Sequence, residues 1–252
     1  MRDIGEDAFN QEFPINPEVS FIQTDTGFFS ALDITNRYKY LPKPLNQKEI
    51  GVDLPEILLK YFGNGFYIFQ PIKSTETYFG GVDSSAGLKG DYSAISIFNS
   101  SGEQVAVFYR NDVPIYKFAK ICFELGHLFN YCMLAIERNS YGLSLIDKLR
   151  REMQYLQVLR FNKFDKIRGI LTSEYGYYTD NVSKTKLLND FKEVFEEGIV
   201  LINDRETLDE MKIYIETKKG SLGNIKGNKN HDDLVDASSL AIQALKKNVS
   251  YL

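Results

Sequence analysis

The sequence contains little of the chemistry on which many enzymes depend. It has no tryptophan, only two histidines, and only two cysteines, Cys122 and Cys132, which form no Cys-x-x-Cys pair. The sequence therefore has too few cysteines and histidines to favour structural zinc, a disulfide framework or most Ser–His triads. No apolar run approaches the ~20 residues of a membrane span, and the first residues lack a signal-peptide core. We expect a protein that is neither secreted nor membrane-bound and whose chemistry uses carboxylates.

The charge of the protein is unevenly distributed. The formal net charge is −4, which argues weakly against a nucleic-acid binder. However, residues 147–169 carry seven Lys/Arg against three acidic residues, and residues 217–229 carry four lysines and no acid. Each stretch could simply be a solvated face. Acidic residues between two basic stretches are also what a metal-dependent enzyme needs to act on a polyanion.

The pattern of apolar residues predicts an α/β protein. Residues 1–75 contain six of the seven prolines and one plausible helix, Leu54–Phe62. The remaining predicted elements follow in order: strands at 77–85, 92–98 and 103–110, a helix at 114–130, a strand at 132–137, a helix at 143–153, a strand at 155–160, a hairpin region at 170–180, a helix at 184–197, a strand at 199–202 and a last helix from His231. This order indicates a mixed central sheet, three antiparallel strands and then parallel strands, with helices on both faces.

The last helix begins with an unusual group of acids. Asp232, Asp233 and Asp236 precede an apolar stripe at 3/4 spacing. Carboxylates in a first turn are ordinary caps, because they face the positive end of the helix dipole. Capping explains one aspartate comfortably, whereas three are also consistent with a cation site. Because Asp233 lies one turn before the buried Ala237, we expect it nearer the sheet than Asp232.

Two predicted strands end on further acids. Asp83 ends the first strand and Glu137 ends the short apolar strand "CMLAI". Neighbouring strand ends lie ~5 Å apart, so these carboxylates converge if the two strands pair. Asp83 could equally cap a turn, and Asp91 could cap a turn or lie outside the ligand shell. Hard oxygen ligands with few histidines favour Mg²⁺ or Mn²⁺ over zinc, and a pair of such ions hydrolyses phosphodiesters.

Four motifs occur in this order along the chain: "GGVDSSAGLKGDYSAISIF", "CMLAIERNSYG", "SKTKLLNDFKEVFEEGIVLINDRETLDEM" and "HDDLVDASSLA". Together they resemble the nuclease domain of the large terminase subunit of tailed double-stranded-DNA bacteriophages. The stretch at 7–29 also resembles the segment that closes the ATPase domain of the family. The resemblance therefore divides the chain into an N-terminal segment or linker, 1–75, and an RNase H-like nuclease domain, 76–252.

The resemblance implies an RNase H-like endonuclease that cuts concatemeric viral DNA with two Mg²⁺ or Mn²⁺ ions. Asp83 would bridge both ions, Glu137 would hold one, and Asp233 with Asp232 beside it the other, so the catalytic residues would be Asp83, Glu137 and Asp233. Asp91 and Asp236 would be secondary ligands, and His231 is interpreted as a helix-start residue. The residues expected to bind DNA are Lys89, Arg138, Lys218, Lys219, Lys226 and Lys229.

The resemblance also implies partners and a place of action. These are double-stranded DNA, a terminase ATPase domain, the small terminase subunit and the portal protein, at the viral procapsid in the host cytoplasm. No GxxxxGK[ST] phosphate loop occurs in these 252 residues, so we expect an isolated nuclease portion without motor activity. The alternatives are a Holliday-junction resolvase, a transposase-type nuclease, or a non-catalytic DNA-binding domain.

Overall fold

A mixed five-stranded sheet forms the centre of the protein. The computed structural model describes residues 27–87, 90–165, 169–216, 222–224 and 231–249. The sheet consists of β1 (Phe66–Ile68), β2 (Tyr78–Asp83), β3 (Ser93–Asn99), β4 (Gln104–Arg110) and β5 (Met133–Ile136). The strands lie in the order β1–β4–β3–β2–β5, and only β5 is parallel to its neighbour. The predicted mixed sheet is confirmed, with β5 as the parallel strand.

The described helices and two hairpins surround this sheet. The helices are α1 (Ala31–Tyr38), α2 (Glu56–Leu59), α3 (Ile115–Leu128), α4 (Gly142–Asp147), α5 (Asn181–Glu196), α6 (Arg205–Lys212) and α7 (Asp233–Val249), and a π-helical turn, Lys148–Glu152, continues α4. The hairpins are β6 (Arg160–Asp165) with β7 (Ile170–Tyr175) and β8 (Tyr214–Glu216) with β9 (Leu222–Asn224). None of the described helices is long and apolar enough to span a bilayer.

Side chains alternate between the two faces of the sheet, and each face is covered by helices. Val82 and Ile95 share one core with residues of α3, including Phe118. Phe79 and Phe98 belong to the other core, with residues of α5 and α7. Because successive side chains of a strand point to opposite faces, both faces of a strand such as β3 must be apolar to be buried. The expectation of helices on both faces is confirmed.

Helix α7 packs very closely on β2, and a glycine permits this contact. A Cβ added at Gly81 would lie 1.8 Å from the carbonyl oxygen of Ala237 and 2.3 Å from the amide nitrogen of Ala241. No side chain fits in that space, so the backbone of α7 rests directly on the strand. Since Gly81 and Asp83 are two residues apart, they point to the same face of the sheet. The side chain of Asp83 is therefore directed to the side on which α7 lies.

Part of the segment before residue 76 packs against the same body. The amide of Phe28 donates to the carbonyl of Tyr214 over 2.8 Å, and both Phe28 and Phe29 are buried in the core that contains α7. β1 pairs with β4 and so belongs to the central sheet. The expected boundary at residue 75, and the origin of residues 1–75 as the end of an ATPase domain, stay predictions.

Several predicted elements differ from the structure. Residues 155–160 and 199–202 were expected to be strands, but apart from Arg160, which begins β6, they make only isolated bridges, Val158 with Leu134 and Leu201 with Glu103. The helix expected over Leu54–Phe62 is limited to α2. In these short runs Val158, Val200 and Ile202 are buried, whereas Leu156 and Ile199 are exposed, so the apolar pattern arises without a strand ladder. A run of four to six residues does not distinguish these cases.

Candidate metal centre

Asp83 and Glu137 lie side by side because β2 and β5 are parallel neighbours. Val82 pairs with Ile136, and the amide of Glu137 donates to the carbonyl of Val82 over 2.9 Å. Asp83 and Glu137 each follow one member of this pair, so both side chains point to the face that α7 covers. A hydrogen bond joins the two carboxyl groups. The predicted convergence of these two acids is observed.

The first turn of α7 brings Asp233 to the same place. Asp233 is 8% exposed and lines a cleft together with Asp83, Asp91 and Glu137. Its Oδ2 accepts a hydrogen bond from the amide of Tyr92 over 3.3 Å. His231 lies behind Asp233, with Nδ1 3.7 Å from Oδ2 and its ring against Tyr92. Acids from β2, β5, α7 and the β2–β3 connection thus meet in one cleft.

Burial and neighbouring carboxylates raise the pKa values of Asp83, Asp233 and Asp236. Burial raises the pKa of Asp83 well above its ordinary value, and the charges of Glu137, Asp236 and Asp233 raise it further. Burial and then Asp232 raise the pKa of Asp233 to about 7. Burial also raises the pKa of Asp236 to about 7, although Lys184 opposes the shift. Such carboxylates repel one another and are stabilised by a cation between them.

The donor set fits a hard divalent cation. Within the described part of the chain, Oδ1 of Asp236 and Oγ of Ser84 are buried without a hydrogen-bond partner, and Ser84 lines the cleft. Among the described residues, no group of three or more His, Cys, Asp or Glu side chains lies close enough together to hold one ion, so the acids of the cleft would have to move towards a bound cation. Oxygen atoms predominate in the cleft, which is the ligand type that Mg²⁺ and Mn²⁺ prefer.

Lys184 is a member of this cluster that the sequence did not reveal. Its Nζ lies 2.7 Å from Oδ2 of Asp236 and 3.5 Å from Oδ2 of Asp232. Burial lowers the pKa of Lys184, but Asp236, Tyr214 and Asp232 raise it more, so that the pKa lies above its ordinary value. A capping box of Asp180 and Ser183 begins α5 and orients this first turn. Nothing in the sequence around Lys184 indicates that its partners are aspartates at the start of another helix.

The other predicted site residues lie in different parts of the structure. Asp232 and Asp236 both contact Lys184, and Asp236 is also near enough to Asp83 for its charge to raise the pKa of Asp83. Arg138 points away and forms an ion pair with Glu174 of β7. Five of the predicted DNA-binding lysines lie outside the described residues: Lys89, Lys218, Lys219, Lys226 and Lys229.

A mixed sheet with acids at adjacent strand ends and a last helix across one face characterises the RNase H-like class. The chain matches the family model of the terminase RNase H-like domain over residues 80–245. It therefore belongs to this family, as the resemblance of its motifs had implied.

Solved nuclease domains of large terminases share the fold. The magnesium-bound nuclease of thermophilic phage G20c is 17% identical, with a TM-score of 0.55 over 71% of this chain and 87% of that one. A cobalt-bound structure of the same nuclease is 18% identical with the same TM-score and coverage. The nuclease domain of Thermus phage P74-26 is 16% identical, with a TM-score of 0.55 over 83% of this chain and 93% of that one.

Proposed function

We propose that this domain is a divalent-metal-dependent endonuclease that cuts concatemeric double-stranded viral DNA into genome units during packaging. The observation that carries the proposal is the meeting of Asp83, Glu137 and Asp233 in one cleft. The magnesium- and cobalt-bound structures of a related nuclease support it. Membership of the terminase family favours this function over a Holliday-junction resolvase or a transposase-type nuclease.

The proposed ligand set assigns each acid a place. Asp83 would bridge two ions, Glu137 would hold one of them, and Asp233 would hold the other, with Asp232 at the rim. Asp91 and Asp236 would act from outside the ligand shell. When bound, Mg²⁺ or Mn²⁺ supplies an activated water and offsets the charge that develops on a phosphodiester.

Residues around the cleft keep these acids in position. The amide of Tyr92 donates to Asp233 and restricts the rotation of its carboxylate. Lys184 neutralises part of the charge of Asp236 and Asp232, so the negative charge available to a cation is concentrated on Asp83, Glu137 and Asp233. Charge neutralisation of the DNA backbone is assigned to the basic residues at 89, 138, 218, 219, 226 and 229.

Family membership suggests the assembly in which the domain works. The proposed partners are double-stranded DNA, a terminase ATPase domain, the small terminase subunit and the portal protein, with cutting at the procapsid in the host cytoplasm. The small subunit would select the DNA sequence, as membership of the terminase family suggests.

Nicking of supercoiled plasmid DNA tests the proposal. The wild-type protein should cut in Mg²⁺ or Mn²⁺ and not in EDTA. Asp83→Asn should lower the rate by more than about 100-fold, because losing even an outer partner of a metal ligand costs about 10–100-fold. Its thermal stability without metal should be unchanged or higher, since repulsion with Glu137, Asp236 and Asp233 is relieved.

Asp53→Asn is the matched control, because Asp53 is an exposed aspartate in the N-terminal part of the chain. It should cut DNA at the wild-type rate. Full activity of Asp83→Asn would remove Asp83 from the site. A wild-type protein that binds DNA but never cuts it in either metal would support the non-catalytic DNA-binding alternative.

A further inference from the structure

The beginning of α7 is covered by a carboxylate from a different helix. Oε2 of Glu210, in α6, accepts hydrogen bonds from the amides of Leu234 over 2.9 Å and Val235 over 3.0 Å. These residues directly follow Asp233. The first amides of a helix have no partner within it, so they depend on an acceptor from elsewhere. Glu210 supplies that acceptor for the turn that carries Asp233.

Helix α6 holds Glu210 firmly. Asp204 begins the helix, with Oδ2 accepting from the amide of Thr207 and from its hydroxyl, each over 2.9 Å. Leu208 and Met211 of the same helix are buried in the core that also contains residues of α7. Because α6 is capped and packed against the core, the backbone at Glu210 is held in place. The hydrogen bonds of Glu210 therefore fix the start of α7 relative to α6.

The location of Glu210 is electrostatically unfavourable, and its hydrogen bonds offset part of the cost. Burial raises the pKa of Glu210 well above its ordinary value, and the nearby Asp233 and Asp232 raise it further. The two amide donors act in the opposite direction. Removal of the side chain would leave two amides of a packed helix end without their acceptor, which is unfavourable for any group that water does not reach.

We infer that Glu210 is a positioning residue, which fixes the first turn of α7 and thereby places the Asp233 carboxylate opposite Asp83 and Glu137 for cation binding. The inference rests on the proposed function. Glu210 acts through its hydrogen bonds to the backbone and not as a ligand. An acceptor oxygen of the same reach should therefore replace it, whereas a shorter carboxylate should not.

Mn²⁺ binding to the folded protein, measured by titration calorimetry, tests this role. Glu210→Ala should weaken Mn²⁺ binding by about 10–100-fold, the usual effect of losing a partner that orients a ligand. Glu210→Gln keeps the acceptor oxygen and should stay near the wild type. Glu210→Asp keeps the charge but loses the reach, and it should resemble Glu210→Ala. DNA affinity in EDTA should be the same for every variant.

Glu206→Ala is the control, because Glu206 lies one turn earlier on α6 and bonds no amide of α7 in the described structure. It should bind Mn²⁺ like the wild type. If Glu210→Asp binds Mn²⁺ and Glu210→Gln does not, the charge of the side chain is what matters, and the inference is overturned. If Glu210→Ala does not fold, the comparison of Glu210→Gln with Glu210→Asp still tests the inference.

The two proposals fail in different ways. A wild-type protein that neither binds Mn²⁺ nor cuts DNA would refute the proposed function and this inference with it. A wild-type protein that binds Mn²⁺ and cuts DNA, together with a folded Glu210→Ala protein that does both equally well, would refute the role of Glu210 alone.

Discussion

Asp232 and Asp233 are adjacent in sequence but have different surroundings. Asp233 is buried in the cleft with Asp83 and Glu137, whereas the side chain of Asp232 is 35% exposed and faces Lys184. Consecutive residues of a helix point about 100° apart, so two neighbours do not serve one position equally. These surroundings favour Asp233 as the direct ligand and Asp232 as a ligand at the rim.

Alanine substitutions of the three aspartates should therefore have graded effects on DNA cutting. Asp233→Ala should be inactive, Asp232→Ala impaired by roughly 10–100-fold, and Asp236→Ala the least affected, because the last two act from outside the ligand shell or at its edge. Plasmid nicking over a range of Mn²⁺ concentrations measures the series, and weaker metal binding should appear as a higher Mn²⁺ requirement.

A metal-soaked crystal gives an independent check of the series. A cation bound to Asp232 with Asp233 turned away would reverse the assignment. Activity that survives the combined change of Asp232 and Asp233 to alanine would refute the two-metal proposal for this cleft.

The ligand candidates could be found from sequence, but the residues that position them could not. Asp83, Glu137 and Asp233 follow apolar runs or begin an amphipathic helix, where an acid is conspicuous. Lys184 and Glu210 occupy ordinary helical positions, and only tertiary packing brings them to α7. Local periodicity reports which face of an element is buried, and it gives no information about which helix crosses another.

At the scale of elements, α6 begins with an aspartate whose charge destabilises the folded protein. Burial raises the pKa of Asp204 to about 6, although its bonds to Thr207 act in the opposite direction. The unfolded value is about 3.9. Because the folded pKa is the higher one, the folded state binds the proton more tightly. The stability from this group is present below about pH 4 and is lost as the pH rises to about 6.

Replacement of Asp204 by asparagine removes this pH dependence and keeps a capping oxygen. The free energy of unfolding of Asp204→Asn, relative to the wild type, should rise by up to about 3 kcal/mol between pH 4 and pH 7.5, at about 1.4 kcal/mol per pKa unit. Urea unfolding in metal-free buffer measures the difference. Asp204→Ala should show the same trend, lowered throughout by about 1 kcal/mol for the lost cap. A difference that does not change with pH would contradict the prediction.

Elements with long periodic patterns were predicted well, and short ones were not. The strands β2, β3 and β4 and the helices α3, α5 and α7 lie close to their expected positions, because each buries a complete face. β1 was missed, since three residues after a glycine-containing turn give no measurable period. The two segments wrongly predicted as strands mix buried side chains such as Val158 and Ile202 with exposed ones such as Leu156 and Ile199, and they make isolated bridges in place of ladders.

For the whole molecule, binding to DNA should be non-specific and strongly dependent on salt. Basic residues at 147–169 and 217–229 would neutralise phosphates and release counterions, so affinity should fall steeply between about 50 and 200 mM salt. Changing Lys218 and Lys219 to glutamate should weaken binding to all sequences about equally and reduce the salt slope. Fluorescence anisotropy with unrelated duplexes in EDTA measures both effects.

The matched control for this prediction changes Lys43 and Lys48, two exposed lysines of the N-terminal part, to glutamate. It alters the net charge by the same amount at another place and should affect binding far less. Equal loss of affinity in both double variants would attribute binding to net charge alone. Affinity that does not respond to salt would exclude the electrostatic interpretation.

The close packing of α7 on Gly81 also governs when the enzyme can become active. Asp83 and Glu137 precede α7 in the chain, and a polypeptide is synthesised from its N-terminal end. A nascent polypeptide therefore holds two of the acids before the third has been made. In the proposed function, cutting requires that α7 has been made and has packed on β2, so a chain that stops before α7 should not cut DNA.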